Sequence, residues 1–168
     1  MNEYLRDDAL RHQNFKFNMT SLILYQGQVI GYFTLLADLI EIKKLNMYDY
    51  NKIIFKSPFK TLPAVKLARF AIDKKFTNIG LGTEILSRIL LSIYDKSNYI
   101  GIRYVTVDGF AKAFNFYTKN GLIPFKKEEQ KLNKINKIIK KDPEKTISLY
   151  FDLYNYKKFL MLLMPYYI

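Results

Sequence analysis

The chain has 168 residues, 49% hydrophobic and 25% charged, a composition that suits one globular domain with an apolar core of its own and no need of a covalent or metal staple. It has no cysteine and a single histidine, His12, which excludes disulfide frameworks, thiolate nucleophiles and zinc ribbons and removes most histidine-dependent hydrolase and metal chemistry. A formal charge of +12 favours polyanionic partners, a nucleic acid or a phosphate-rich small molecule, although an excess of lysine spread over the whole chain is also what a solvated basic surface would show.

In chain order, residues 3–14 read as a short helix with Tyr4, Leu5, Ala9 and Leu10 on its apolar side. The start lacks a basic region followed by an apolar core, and no apolar run reaches membrane-span length, so a soluble cytoplasmic protein is expected. Residues 21–25 and 29–36 are β-rich runs around Gln26-Gly27-Gln28, a hairpin signal. Residues 38–50 read as helical, and 53–63 as a loop carrying Pro58 and Pro63.

Residues 64–73 alternate as a central strand, and from Gly82 to residue 97 the apolar positions Ile85, Leu86, Ile89, Leu90 and Ile93 keep helical spacing. The turn between them therefore joins a strand to a helix. Amides exposed where a helix begins form an anion site, and Gly80 and Gly82 would let a phosphate approach that backbone. Residues 104–107 read as a buried strand, 110–120 as a helix stopped by Gly121, and 122–125 as a short strand. A last strand, 146–153, is expected to close the sheet.

Two segments stand apart. Residues 126–145 carry eight lysines, yet Leu132, Ile135, Ile138 and Ile139 recur at helical spacing, so an amphipathic helical insertion is expected there. The tail, 154–168, is apolar from Phe159 onward but too short and too interrupted by Pro165 for a membrane anchor; it reads as a packed tail or subunit contact, consistent with a homodimer.

This ordered set resembles the GNAT (GCN5-related N-acetyltransferase) family, an α/β fold with a mixed central sheet flanked by helices. Arg69-Phe70-Ala71-Ile72-Asp73 is similar to the family's central strand, and Thr77-Asn78-Ile79-Gly80-Leu81-Gly82 falls on its Q/R-x-x-G-x-G/A loop. Ala113-Phe114-Asn115-Phe116-Tyr117 and Asn120-Gly121-Leu122 resemble its A-x-x-F-Y and x-G-F segment, and Val29-Ile30-Gly31-Tyr32-Phe33 its second hairpin strand. Thr77 stands where Gln or Arg is usual, Asn78 where Gly is common, and Ala111 where relatives often carry Asn. The chain also opens at the family's second helix, without its first strand and first helix.

The resemblance is nearest to toxins of bacterial toxin–antitoxin pairs that acetylate the amino acid on tRNA. It implies acetyl-CoA as co-substrate, held by Phe70, Ala71, Ile72, Phe116 and the turn Thr77, Asn78, Ile79, Gly80, Leu81, Gly82 and Thr83, with no metal. It assigns Tyr117 the role of general acid toward the departing thiolate. A phenol with a reference pKa of about 10 can protonate a thiolate whose conjugate acid is near 8.5.

No strong base stands out; Asp38, Glu41, Asp73 and His12 are candidates, the carboxylates through water. That tilts the acceptor toward an α-amine, which at a reference pKa of about 8 is already partly neutral. The expected partners are therefore acetyl-CoA, an aminoacyl-tRNA held in part by Lys134, Lys137 and Lys141, and a small ribbon-helix-helix antitoxin. Two other readings stay open: a small amine or protein N-terminus as acceptor, or a silent basic RNA-binding domain on the same fold.

Overall fold

The computed structural model describes residues 2–77 and 79–156; Asn78 and most of the apolar tail lie outside them. Two short helices, α1 (Asn2–Asp7) and α2 (Ala9–Asn14), precede the hairpin β1 (Met19–Tyr25) and β2 (Gln28–Glu41). The hairpin turn puts Gln26 and Gly27 at φ 47° and 78°, the left-handed pair that matches strand twist. Helix α3 (Met47–Ile53) leads to β3 (Thr61–Ile72), then α4 (Leu81–Ser97), β4 (Tyr104–Phe110) and α5 (Phe114–Lys119). Finally β5 (Ile123–Pro124), α6 (Lys126–Glu129), α7 (Ile135–Lys141) and β6 (Thr146–Asp152) complete the fold.

The six strands form one sheet in the order β1-β2-β3-β4-β6-β5, with β3 and β4 parallel and all other pairs antiparallel. Among the described residues no strand precedes β1, which therefore lies at one edge. At the other edge is β5, so β6 lies inside the sheet rather than closing it.

Helix α4 covers one face. All five residues picked by spacing, Ile85, Leu86, Ile89, Leu90 and Ile93, are buried against Val105, Val107, Leu149 and Phe151. Side chains of that kind contribute about 1.5–3 kcal/mol each when fully buried. The opposite face holds a second cluster, Ile40, Ile42, Leu45, Ile53, Ala64, Tyr104 and Tyr150.

Several expectations fail for tertiary reasons. Residues 38–41 are not helical: β2 runs on to Glu41 because residues 61–64 of β3 pair with it, and ladder bonds override a weak helical preference. Helix starts only at Met47, where the Asn46 side chain accepts the Asp49 N–H at 2.8 Å. Pro63 lies within β3, and Phe110 ends β4, pairing with Thr146, instead of opening a helix. The lysine-rich segment breaks into α6, a 3-10 turn at Leu132–Lys134 and α7, although its four apolar residues pack on the main core as expected. Leu10 is exposed, while Ala9 is the buried residue of α2.

Candidate active site

The site begins where β3 and β4 part. Their parallel pairing ends at Leu67–Val107, and the next residue of β3, Ala68, is skipped in the register with β2 between Thr34–Arg69 and Leu35–Leu67. This β-bulge bends the strand away from β4 and changes its alternation, so Leu67 and then Phe70 and Ile72 pack toward the same core. Beyond the bulge β3 pairs only with β2, and β4 beyond Val107 only with β6.

One side of β3 is thereby left open. The Asp73 N–H donates to Ile30 O at 2.7 Å, and by strand alternation the main-chain groups of Ile72 and Phe70 turn to the opened side. Those of Ala71 turn toward β2: a Cβ on Gly31 would stand 2.4 Å from the Ala71 carbonyl oxygen, so only glycine fits there.

The opening widens into a groove of about 410 Å³ lined by Phe70, Ile72, Phe76, Thr77, Gly80, Gly82, Thr83 and Phe116. Gly80 caps α4 in the left-handed region at φ 82°, with open space where a side chain would be. Its carbonyl accepts the N–H groups of Thr83 and Glu84, while the amides of Leu81 and Gly82 have no helical partner, as in any first turn. With α4 running for 17 residues, its dipole adds positive potential at this end. A Cβ on Gly82 would approach the Phe116 ring to 3.2 Å, so glycine keeps the groove open against that ring.

The downstream motif is fixed to the same turn. Buried Asn120 donates from its side-chain amide to Phe116 O at 2.8 Å and to Thr83 Oγ1 at 3.4 Å, tying the end of α5 to the start of α4. Phe116 stacks on Phe70 with centroids 6.1 Å apart and meets Tyr117 edge-on at 5.2 Å. The Tyr117 ring lies over Gly109, where a Cβ would come within 2.6 Å of it. Gly109 is two residues past Val107, so the ring stands at the parting of the strands.

Tyr117 is 7% exposed and does not line the groove itself. Its hydroxyl makes no hydrogen bond to a described residue, and burial pushes its pKa up to about 12. Among the other expected contacts, Ala71 faces β2, Leu81 packs on the core, and Ile79 projects into solvent at 69% exposure. Asn78 is outside the described residues. Ala111 is fully buried, its N–H donating to Lys145 O, which removes it from any ligand surface.

Across the sheet from the groove lies a larger cavity of about 670 Å³ at the same strand positions. Its floor is polar. Lys66 on β3 pairs with Asp108 on β4 across the parting, Asp108 also accepts from Ser148 Oγ at 2.6 Å, and Asp38 accepts from Thr106 Oγ1 at 2.5 Å. Burial opposes ionisation of Asp108, yet the bonds from Lys66 and Ser148 outweigh it and hold the carboxyl below its ordinary pKa.

Of the candidate bases, only Asp38 is part of this cavity's polar floor. Glu41 is clamped by Lys43 and Lys44, whose bonds lower its pKa to about 2. Asp73 caps a turn by accepting the Lys75 N–H, and His12 packs among Tyr4 and Phe17. The Lys66–Asp108 pair has no counterpart among the residues picked from the sequence; a charged residue inside each of two mostly apolar strands is the signal that marks it.

Lys134, Lys137 and Lys141 are exposed. Among the described residues no cluster of three or more His, Asp or Glu could hold a metal ion, and no helix is long and apolar enough to cross a membrane.

No family model matches the chain. Solved structures do. A tyrosine-to-phenylalanine variant of KacT is similar with a TM-score of 0.71 at 20% identity, over 94% of this chain and 84% of that one. AtaT complexed with acetyl-methionyl-tRNA gives a TM-score of 0.69 at 24% identity, over 97% and 85%. AtaTR bound with acetyl-CoA gives 0.66 at 24% identity, over 97% and 84%. Over almost its whole length the chain thus has the GNAT fold of KacT and AtaT.

Proposed function

We propose that this protein is an acetyl-CoA-dependent N-acetyltransferase whose acceptor is the α-amine of an aminoacyl-tRNA, acting in the cytoplasm as a translation-blocking toxin. The observation that carries the reading is the glycine-opened groove at the head of α4, set at the parted strands beneath Tyr117. Similar structures are AtaT with acetyl-methionyl-tRNA and AtaT with AtaR and acetyl-CoA, which supports both substrate classes.

When bound, acetyl-CoA supplies a thioester-activated acetyl group. The amides of Leu81 and Gly82 and the positive end of α4 suit its pyrophosphate, and the open edge at Phe70 and Ile72 suits its pantetheine amides. Thr77 cannot supply the charge of an Arg, so the backbone bears more of the binding. Tyr117, whose burial keeps its proton at Oη over the whole physiological range, is assigned the role of giving it to the leaving thiolate.

The amine enters from the opposite face, over Asp38, Lys66, Asp108 and Ser148. An α-amine with a reference pKa near 8 needs only a weakly basic or water-relayed acceptor for its proton, which Asp38 provides. Lys134, Lys137 and Lys141 are assigned to tRNA phosphates, and replacing all three by Gln should flatten the salt dependence of tRNA binding. An antitoxin that seals the site and a homodimer complete the reading; co-purification and light scattering test them.

The deciding experiment is acetyl transfer to total aminoacyl-tRNA, with mass spectrometry locating the label. Label on an α-amine is expected. Label only on small amines or protein N-termini would move the acceptor assignment, and failure of acetyl-CoA to bind by calorimetry would remove the enzyme reading.

A further inference from the structure

The two edges of the sheet are finished in opposite ways. At one, β5 has two residues, one of them Pro124, and Lys126 and Lys127 follow at once. Proline, lysine and shortness keep an edge from pairing with another chain. At the other, β1 runs for seven residues with no proline and no charged side chain. The extra residue of the bulge beside it, Ile30, belongs to β2, so the alternation of β1 is unbroken.

The hairpin decides which groups the open edge offers. Tyr25 closes it against Gln28, so the main chain of Tyr25 turns to β2, and by alternation that of Leu24, Leu22 and Thr20 turns away. The Thr20 N–H does point outward, donating to the Gln13 side chain at 3.4 Å. The outward main-chain groups of Leu22 and Leu24 have no partner among the described residues, and their side chains are 53% and 64% exposed.

A strand that pairs here must be uncharged and apolar, because β1 offers nothing to neutralise a charge. The apolar tail of the same chain does not meet the need. Four strand spacings, about 19 Å, separate β6 from β1, so about six residues of extended chain beyond Tyr156 are used in crossing. The run that follows contains Pro165, which has no N–H to give. The sequence of β1 itself does meet it, and between copies that each carry a net charge of +12 such a contact sets no cation against another.

We propose that β1 pairs antiparallel with β1 of a second copy of this chain, about a twofold axis at Ile23. Leu22 then lies opposite Leu24 of the partner subunit, and Leu24 opposite Leu22 of the partner subunit, each pair exchanging both main-chain hydrogen bonds. The leucine side chains meet on one face of the joined sheet and the isoleucines on the other. A homodimer belongs to the function proposed above; the edge that forms it does not depend on the chemistry.

The full chain has no cysteine, so single cysteines report the register directly. Ile23→Cys should cross-link to its own copy under mild oxidation, because facing residues of a non-hydrogen-bonded pair have Cα atoms about 4.5 Å apart, within disulfide reach. Ser21→Cys should not, since the same register sets its two copies about 13 Å out of line. Leu22→Lys with Leu24→Lys puts like charges directly opposite. It should raise the dimer dissociation constant at least about tenfold, read by light scattering over a dilution series. Tyr99→Lys with Ile100→Lys, also at exposed apolar residues, should leave that constant at its parental value.

A monomeric parent, a dimer unmoved by the β1 lysines, or cross-linking of Ser21→Cys in place of Ile23→Cys would overturn the pairing. So would a dimer lost only on Leu162→Lys with Leu163→Lys, which would put the contact on the tail. If acetyl-CoA fails to bind the parent while Ile23→Cys still cross-links, the transferase reading falls and the paired edge stands.

Discussion

The two faces of the sheet are built by different means at the same strand positions. Under α4 and α5, Val105 and Val107 of β4 join a sealed apolar core, and the groove beside it is made by backbone: a bulge, glycines and a helix terminus. On the other face, Thr106 and Asp108 of the same strand hold side-chain bonds to Asp38, Lys66 and Ser148. A phosphate-bearing ligand can be held by amides that every sequence has. In the proposed function an acceptor must be distinguished by side chains, and that face has them.

The sharpest test of the apolar face is Tyr117→Phe. Turnover should fall by about 10²-fold or more, with acetyl-CoA affinity and stability nearly unchanged because the hydroxyl has no partner among the described residues. Unchanged turnover in single-turnover assays would reduce Tyr117 to a packing residue over Gly109.

The polar face should respond in stability instead. The Tyr150 hydroxyl, buried, donates to Asp49 Oδ2 at 2.6 Å, and Asp49 is itself only 3% exposed. Tyr150→Phe strands that carboxylate and should cost about 1.5–3 kcal/mol, read by denaturant unfolding, with acetyl-CoA binding retained. A neutral substitution would show that the network is not part of the fold's stability.

Gly82→Asp brings a Cβ against the Phe116 ring and a negative charge to the head of α4. Calorimetry should show acetyl-CoA affinity at least about tenfold lower, and parental affinity would disprove the phosphate site. Lys66→Met, at a half-exposed pair, should change stability by less than about 1 kcal/mol. Its acceptor KM should rise up to roughly fivefold while acetyl-CoA affinity holds; an acetyl-CoA effect equal to the acceptor effect would break the division between faces.

Alkaline pH probes both faces at once. Burial raises Tyr117 and Tyr156 to about 12 and shifts Tyr104 and Tyr150 the same way, against an unfolded value near 10. Stability from keeping these phenols neutral is complete below about pH 10 and is lost as pH rises toward 12. Unfolding curves that do not move between pH 9 and 12 would contradict their burial.

From the sequence, the elements that carry their own signal were legible: the Gln26-Gly27 hairpin, the five-residue apolar stripe of α4, the glycine turn at Gly80, and the Gly121 stop at φ 83°. Each rests on backbone preference or periodicity within a few residues. Phe70, Ile72, Thr77, Gly80, Gly82, Thr83 and Phe116, which line one groove in the fold, are named together only by the resemblance to the GNAT family and by no local pattern.

What only the tertiary structure decided depends on partners distant in sequence. Residues 38–41 became strand because 61–64 lie beside them, and the parting of β3 from β4 follows from a bulge visible only as a skipped pair. The Lys66–Asp108 bridge joins residues 42 apart, and the Tyr150–Asp49 bond residues 101 apart. Side-chain pairing across a sheet is set by register, which no local pattern contains, so the polar face had to be seen in the fold.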